Sequence, residues 1–210
     1  VSTQSTGITQ FVSIYKLDLS NNKLTNLDPL INMPIKQLNL QNNNIVDITV
    51  LSSLNQCSTL NLSCNKIQDV SPLAKMAALH DVDLRDNNID TFQQLIPLSK
   101  AYNIGKLCLL FRNGNKITQH PKYRMLLLYF MPYLKTLDMQ PIGETEMVQL
   151  FYVLHNMTED AFQQYFNSDM NQFTLLRQEN ERLRQEYQEV SGDCDKIENE
   201  FLKLKMENQK

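Results

Sequence analysis

An eight-residue phrase recurs four times in the first half of the chain. It consists of an aliphatic residue, any residue, Leu, any two residues, Asn, any residue and a second aliphatic residue. Its copies begin at Leu17, Leu38, Leu60 and Val82, so the steps between them are 21, 22 and 22 residues. A period of this length is typical of a solenoid, in which each unit buries its apolar edge only by stacking on the next unit. The sequence thus predicts a repeat array that binds other proteins, and it argues against catalysis.

Each repeat divides into a short strand and an arc. In the second repeat the strand is Leu38-Asn39-Leu40, and apolar residues then recur at about every third position, at Ile45, Ile48 and Leu51. A strand this short needs parallel neighbours to provide its hydrogen-bond partners. We therefore predict an α/β fold, a solenoid with a short parallel β-sheet whose stacked leucines form a continuous core.

One asparagine follows each strand, where the backbone turns and its polar groups point inward. An amide side chain can both donate and accept hydrogen bonds at such a corner. We expect these residues to form a stacked structural row, made of Asn22, Asn43, Asn65 and Asn87.

Both ends of the array depart from the repeat. Ile8, Phe11 and Ile14 keep the threefold spacing and predict a partial N-terminal repeat. A fifth strand is predicted around Leu107 and Leu109, which gives about five repeats in all. A terminal repeat needs a distinct cover because its outer face has no neighbour.

The 22-residue units resemble the intracellular class of leucine-rich repeats found in a regulatory subunit of protein phosphatase 1 and in outer-arm dynein light chain 1. The segment after the fifth strand resembles the C-terminal cap of that class. The matching residues are Gly114-Asn115, Tyr123-Arg124, Pro132, Leu134-Lys135 and Leu137-Asp138. Proline usually follows the Gly-Asn of this cap, and Lys116 stands there instead. The resemblance covers about residues 8–142 and implies a fold but no specific task, because many unrelated functions use this scaffold.

The pattern becomes helical from about Gly143. Met147, Leu150, Phe151 and Leu154 are three or four residues apart, which predicts a helix packed on the cap. Later residues alternate steps of three and four over five heptads, which predicts a coiled coil. The predicted seam is Phe173, Leu176, Asn180, Leu183, Tyr187, Val190, Cys194, Ile197, Phe201 and Leu204. The predicted domains are a capped repeat domain at 1–142, a helical linker at 143–166 and the coiled coil at 167–210.

Charges beside this seam favour a parallel homodimer. The g positions are all acidic, so two antiparallel chains would repel each other, whereas a parallel pair places Glu179 against Arg184 and Glu200 against Lys205. Asn180 at an a position also favours two strands in fixed register. Two alternatives stay open, namely that the stripe docks on the solenoid as a single helix or pairs with a different protein.

Composition limits the partners and the chemistry. A net charge of −3 gives no reason to expect nucleic acid, and the longest apolar run, Met125 to Met131, is far too short to span a bilayer. No signal peptide is visible. The four cysteines include no C-x-x-C pair, Cys57 replaces a repeat leucine, and no phosphate loop, metal motif or nucleophile elbow is present. We therefore predict no catalytic residues, no metal, no cofactor and no membrane association.

The outward residues of the strands define the predicted partner site. We expect them to form a concave face that binds a partner protein, mostly polar with an acidic spot at the fourth strand. The predicted binding residues are Asp18, Gln37, Asn39, Asn61, Asp81, Asp83, Arg85 and Lys106. Leu110 and Phe111 would extend this face into an apolar patch, and we expect a helix over 144–156 to cover them.

The predicted function is a non-enzymatic dimeric scaffold. Repeat array, cap and coiled coil together resemble the layout of leucine-rich-repeat, coiled-coil proteins of centrosomes, basal bodies and cilia. That resemblance implies a cytoplasmic location, at the cytoskeleton, centrosome or base of the cilium. The alternative is a regulatory subunit that clamps an enzyme such as a protein phosphatase. Recognition on the secreted side would need a signal peptide and disulfide caps, and the sequence shows neither.

Overall fold

One sheet of seven strands runs through the part of the chain that the structure describes. The structure is a computed structural model that describes residues 15–111 and 114–156. The strands lie in sequence order, the first six parallel and the last antiparallel. They are β1 (Lys16–Asp18), β2 (Gln37–Asn39), β3 (Thr59–Asn61), β4 (Asp81–Asp83), β5 (Lys106–Cys108), β6 (Thr136–Leu137) and β7 (Gln140–Pro141). The predicted parallel sheet is confirmed.

The arcs on the other side of the core are short 3-10 helices instead of regular α-helices. They are Asp28–Leu30, Thr49–Ser53, Ser71–Lys75, Ile96–Lys100 and Lys116–Gln119. Pro29, Pro72 and Pro97 lie in the first turns of three of them, where a missing N–H removes no hydrogen bond of the helix. Only the fourth arc begins with an α-helical turn, α1 (Phe92–Leu95), which lengthens that repeat.

The core lies between the strands and the arcs. The central residue of each strand pairs in register with its neighbours, in the row Leu17, Leu38, Leu60, Val82, Leu107 and Leu137. From Leu38 onward these side chains are buried, as are Ile45, Ile48 and Leu51 of the second arc. Burial of each such side chain contributes roughly 1.5–3 kcal/mol. Cys57 is fully buried at a leucine position, as predicted.

The predicted asparagine row is present from Asn43 to Asn87, whereas Asn22 is exposed and its amide donates to the Leu19 and Ser20 carbonyls of its own repeat. The amide of Asn65 donates to the carbonyls of Leu62 and Leu40 at 3.0 Å each, and its oxygen accepts from the Ile45 amide at 3.1 Å. Asn43 and Asn87 repeat this pattern on their own neighbours. Asn43, Asn65 and Asn87 thus each join their own repeat to the preceding one.

The row continues to Asn115, which the sequence pattern assigned to the cap. Its amide donates to the carbonyls of Leu84 and Leu109 at 2.9 Å, and its oxygen accepts from the Ile89 amide at 3.1 Å. Just before Asn115, the backbone of Gly114 lies close to the backbone of Asp86, so a Cβ on Gly114 would be only 2.8 Å from the Cα of Asp86.

A helix and a hairpin close the array. α2 (Tyr123–Phe130) supplies buried side chains to the last repeat. β6 and β7 are joined by Asp138 and Met139, both with positive φ (51° and 66°), as a two-residue type I′ turn requires. α3 (Glu144–His155) packs on α2, with Leu150 buried and the Arg124 guanidinium 2.6 Å and 2.9 Å from the two Glu146 carboxylate oxygens. A helix at Glu144–His155 thus packs on the cap, and the predicted helical linker at 143–166 stays a prediction.

Several predictions fall on residues that the structure does not describe. They concern the partial repeat at Ile8, Phe11 and Ile14 and the seam from Phe173 to Leu204. Contacts divide the chain into the units Val1–His155 and Asn156–Lys210. The predicted domain boundaries and the coiled coil stay predictions.

Candidate protein-binding surface

The eight predicted binding residues all lie on one side of the sheet. We call this side the concave face; it comprises the outward side chains of β1 to β5 and the residues that directly follow these strands. Neighbouring strands in a sheet are about 4.8 Å apart, which is less than the distance between neighbouring packed helices. Because the strand side of the stack is the more closely spaced one, the sheet forms its inner side. The outward positions alternate with buried Leu38, Leu60 and Val82. Strand alternation therefore places these side chains on one side of the sheet, and their role in binding stays a prediction.

Amide side chains connect the first three strands of the concave face. The Asn39 amide donates to an Asp18 carboxylate oxygen at 3.1 Å, and the Asn61 amide donates to the side-chain oxygen of Gln41, just after β2, at 3.5 Å. Hydrogen bonds from Ser20, with a smaller contribution from Asn39, hold the pKa of Asp18 below its usual value. Gln37 occupies the register position between Lys16 and Thr59. This part of the face is polar and largely engaged in its own hydrogen bonds.

The acidic spot at the fourth strand is internally neutralised. The Asp81 carboxylate lies 2.7 Å from Nδ1 of His80 and 3.4 Å from Nζ of Lys106. The Asp83 carboxylate accepts from Nε and a terminal nitrogen of Arg85, the latter at 2.6 Å. The sequence predicted the four residues as neighbours on one face but not their pairing. Both carboxylates therefore face a cation of this chain.

An apolar cluster lies at the C-terminal end of the concave face. Leu110, Phe111 and Met139 are 49%, 39% and 74% exposed. The Arg85 guanidinium lies 5.5 Å from the centre of the Phe111 ring, and the Cys108 sulfur lies 3.6 Å from the Met139 sulfur. We call Leu110, Phe111 and Met139 the apolar end.

The expectation that a helix over 144–156 covers Leu110 and Phe111 is wrong. The Arg124–Glu146 ion pair and buried Leu150 hold α3 against α2 instead. Met139 was missed because its exposure follows from the hairpin turn, which the sequence did not predict.

The thiols of the described residues lack the environment of a nucleophile. Burial raises the pKa of Cys57 to about 11. Burial also raises the pKa of Cys64 and Cys108, reinforced by the carboxylates of Asp86 and Asp83 respectively. A reactive thiolate needs the opposite shift. In residues 15–111 and 114–156, no three His, Cys, Asp or Glu side chains could hold a metal ion, and no helix has the length and apolar character to cross a membrane.

Comparison with known proteins gives one curated match. No family model matches the chain. The U2 small nuclear ribonucleoprotein A' of Mycosarcoma maydis is 32% identical over 69 residues, which are 33% of this chain and 27% of that protein. The match therefore spans about a quarter of the length of the curated relative.

Two solved structures are similar to this chain at low identity. The Drosophila melanogaster SNF/U2A' complex has a TM-score of 0.47 at 23% identity, covering 76% of this chain and 78% of that chain. A leucine-rich-repeat protein of Leptospira interrogans has a TM-score of 0.46 at 21% identity, covering 69% of this chain and 36% of that chain. These similarities are too distant to support a statement about function.

The curated match corrects one prediction and agrees with another. The predicted cytoplasmic location, at the cytoskeleton, centrosome or cilium, is wrong, because the relative is a small nuclear ribonucleoprotein. That relative is not named as an enzyme, which agrees with a non-enzymatic role. The recurring strands, the single sheet and the asparagine row give the described residues a leucine-rich-repeat fold.

Proposed function

We propose that the chain is a non-enzymatic, dimeric scaffold whose concave face binds a partner protein. The proposed contact residues are the eight predicted from the sequence, together with the apolar end. The heptads at 167–210 support a parallel homodimer. Two linked faces would raise avidity for a multimeric partner without adding contacts.

The single observation that carries the proposal is the exposed apolar end beside a stacked arginine. Interface hot spots are enriched in aromatic and Arg side chains surrounded by near-neutral polar contacts. The apolar end with Arg85 has this composition, and the amide-rich strands provide the polar surroundings. Because Asp81 and Asp83 are already paired, the face does not present a free acidic patch to a basic partner. The fitting partner offers an apolar side chain and a carbonyl or carboxylate near Arg85.

The curated relative bears on the kind of assembly. Its name describes a subunit of a ribonucleoprotein, so we propose a protein-binding subunit of a larger assembly, built from repeats of the 22-residue class. The relative's name offers no support for the alternative of a subunit that clamps an enzyme.

Proximity labelling with the full-length chain tests the binding face. Leu110→Glu with Met139→Glu places two charges on the apolar end, and we expect at least a tenfold loss of the proteins enriched by the wild type. The matched control is Ile31→Glu with Val46→Glu, which replaces two similarly exposed residues outside the strands. An unchanged partner profile for the first variant, or an equal loss for the control, would place the binding site elsewhere.

A second pair of substitutions tests the fourth strand. Asp81→Lys with Asp83→Lys reverses the charges that pair with Lys106 and Arg85. We expect partner capture to be lost while circular dichroism stays unchanged. Retained capture would restrict the site to the apolar end.

The dimer has its own test. Leu183→Glu with Ile197→Glu places charges on the predicted seam, so we expect a folded monomer by light scattering. A mass unchanged from the wild-type dimer would contradict the predicted seam, and a monomeric wild type would contradict the dimer itself.

A further inference from the structure

The residues that directly precede strands β1 to β6 form a row of their own. From the second one onward, each donates its backbone N–H to the carbonyl of the equivalent residue in the preceding repeat, at 2.8–3.2 Å. The row therefore follows the stack from one end to the other. We call this row the entry edge; it consists of Tyr15, Lys36, Ser58, His80, Gly105 and Lys135.

The entry edge is locally basic, although the whole chain has a net charge of −3. Lys36 and Lys135 are exposed members of the edge, and Lys106 is exposed as the first residue of β5. The carboxylate of Asp81 also lies here, but it faces His80 at 2.7 Å and Lys106 at 3.4 Å. The lysines therefore outweigh the negative charge beside them.

Aspartates lie at the opposite end of the repeats. A strand and the arc that follows it run in opposite directions, so the start of an arc lies beside the end of its strand. Asp28 begins the first arc, and Asp47 and Asp69 accept hydrogen bonds at 2.8 Å from the amides of residues 49 and 71, which begin the next two arcs. At the cap, Glu144 shares a groove with Lys135 and reduces the positive charge there. Charge is thus divided between the two ends of the strands.

Exposed tyrosines lie among the lysines of the entry edge. Tyr102 and Tyr133 are 59% and 57% exposed, and their rings meet edge to face with centres 5.2 Å apart. Lys100 precedes Tyr102 by two residues and Lys135 follows Tyr133 by two, and both lysines are exposed. An edge-to-face pair leaves ring faces open to a third planar group.

This combination fits one class of ligand better than the others. Proteins that bind single-stranded nucleic acid hold its phosphates with basic side chains and stack its bases on aromatic rings. An acidic protein segment or an anionic membrane would also attract the lysines. Neither requires planar groups against the exposed faces of Tyr102 and Tyr133, whereas a nucleic acid supplies a planar base beside every phosphate.

We propose that the entry edge and the Tyr102–Tyr133 pair bind a single strand of nucleic acid, with the lysines at its phosphates and the tyrosines against its bases. The net charge of the whole chain gives no reason to expect this ligand, because it averages over the two ends of the strands. The site depends neither on the dimer nor on the partner of the concave face, since both tyrosines lie outside the strands.

Fluorescence anisotropy with the full-length chain tests the site. The probes are labelled RNA and DNA single strands of one mixed sequence, about 15 nucleotides long. We expect binding that weakens as the salt concentration rises. Preference for one probe would identify the strand as RNA or DNA, and equal binding would show that the backbone phosphates and base faces suffice. No binding of either probe by the wild type at low salt would overturn the proposal.

The lysines are tested by charge removal at two places. Lys100→Gln with Lys135→Gln should weaken binding at least fivefold and lower the slope of log affinity against log salt by about 1.4, since each phosphate contact on a single strand contributes about 0.7. The matched control is Lys23→Gln with Lys66→Gln, two exposed lysines that directly follow asparagines of repeats 1 and 3. It should change the affinity less than twofold. An equal loss in the control would overturn the proposed site.

The tyrosines distinguish a nucleic acid from other anions. Tyr102→Ala with Tyr133→Ala should weaken binding at least tenfold without changing the salt slope, whereas the double Phe variant keeps the rings and should bind within twofold of the wild type. Circular dichroism checks the fold, and Tyr133→Ala alone replaces the double variant if that variant is unfolded. Unchanged affinity for the folded Ala variant would overturn the proposal. Polyglutamate or phosphatidylserine vesicles that compete as well as the strand itself would also overturn it, in favour of an acidic protein or a membrane.

Discussion

The inner repeats and the cap satisfy the same backbone groups in different ways. In the inner repeats, the amide after each strand donates to a carbonyl of the next strand, as in Leu40 to Asn61, Leu62 to Asp83 and Leu84 to Cys108, all at 2.8 Å. At the cap the chain turns back into a hairpin, and the Asp138 carboxylate accepts from the Leu109 and Leu110 amides at 2.7 and 2.9 Å. One side chain thus replaces the backbone of a missing repeat.

Stacking of the strands ends at Asp138, whereas the asparagine row ends earlier, at Asn115. Up to Asn115 each bond pattern repeats that of the unit before it. After Asn115 the bonds are particular to the cap. A substitution in either region therefore tests a different way of satisfying buried backbone groups.

The largest effect is expected at Asp138. Asp138→Ala removes two charge-assisted hydrogen bonds and places Ala at a φ of 51°, so we expect the free energy of unfolding to fall by about 2–4 kcal/mol. Urea denaturation followed by circular dichroism measures the change. Asp138→Asn keeps an oxygen and tolerates positive φ, and it should retain most of the stability. Equal losses for both variants would show that the carboxylate does not replace the missing strand.

A smaller loss is expected along the asparagine row. Asn65→Ala leaves buried backbone groups in two repeats without a hydrogen-bond partner. The free energy of unfolding should therefore fall by about 1–3 kcal/mol. Asn115→Ala should cost the same, because Asn115 makes equivalent bonds. The same denaturation experiment compares them. An unchanged free energy of unfolding for Asn65→Ala would contradict the structural role of the row. An unchanged value for Asn115→Ala alone would show that the cap does not depend on the row.

The smallest effect is expected where α3 joins the cap. Arg124→Gln removes a half-exposed ion pair, so the loss should be about 0–1 kcal/mol at neutral pH. The guanidinium lowers the pKa of Glu146. Because the pKa of Glu146 is lower in the folded state than its unfolded-state value of about 4.3, the ion pair stabilises the fold at pH values above the unfolded-state pKa. This contribution is lost as the pH falls through the folded-state pKa. The stabilities of variant and wild type should thus converge below about pH 4; a difference that persists there would exclude the ion pair as the cause.

Periodicity made the inner repeats predictable. The fixed repeat length predicts the strand positions, the buried leucines and the asparagines from Asn43 to Asn87, because identical units must stack in identical ways. The outward residues of the sheet follow from strand alternation in the same way.

The cap and the pairing of charges depend on geometry that no period encodes. Asn115 follows Asn87 by 28 residues instead of 22, because β5 begins 25 residues after β4 and Asn115 follows Leu107 by eight residues instead of five. Its place in the row was therefore hidden. The Arg85 side chain turns back to Asp83 on its own strand, and Lys106 reaches Asp81 only because β4 and β5 are in register. The exposure of Leu110 and Phe111 follows from where α3 packs, which depends on a contact between Arg124 and a residue 22 positions away.

The antiparallel hairpin at Asp138 and Met139 has a consequence for how such a chain can evolve. Duplication of a unit between two equivalent asparagines preserves every bond at both junctions, so the array can lengthen or shorten there by whole units. Beyond β5 the same event would separate Asp138 from Leu109 and leave two amides without an acceptor. Variation in the length of related chains should therefore be confined to the segment before Leu107.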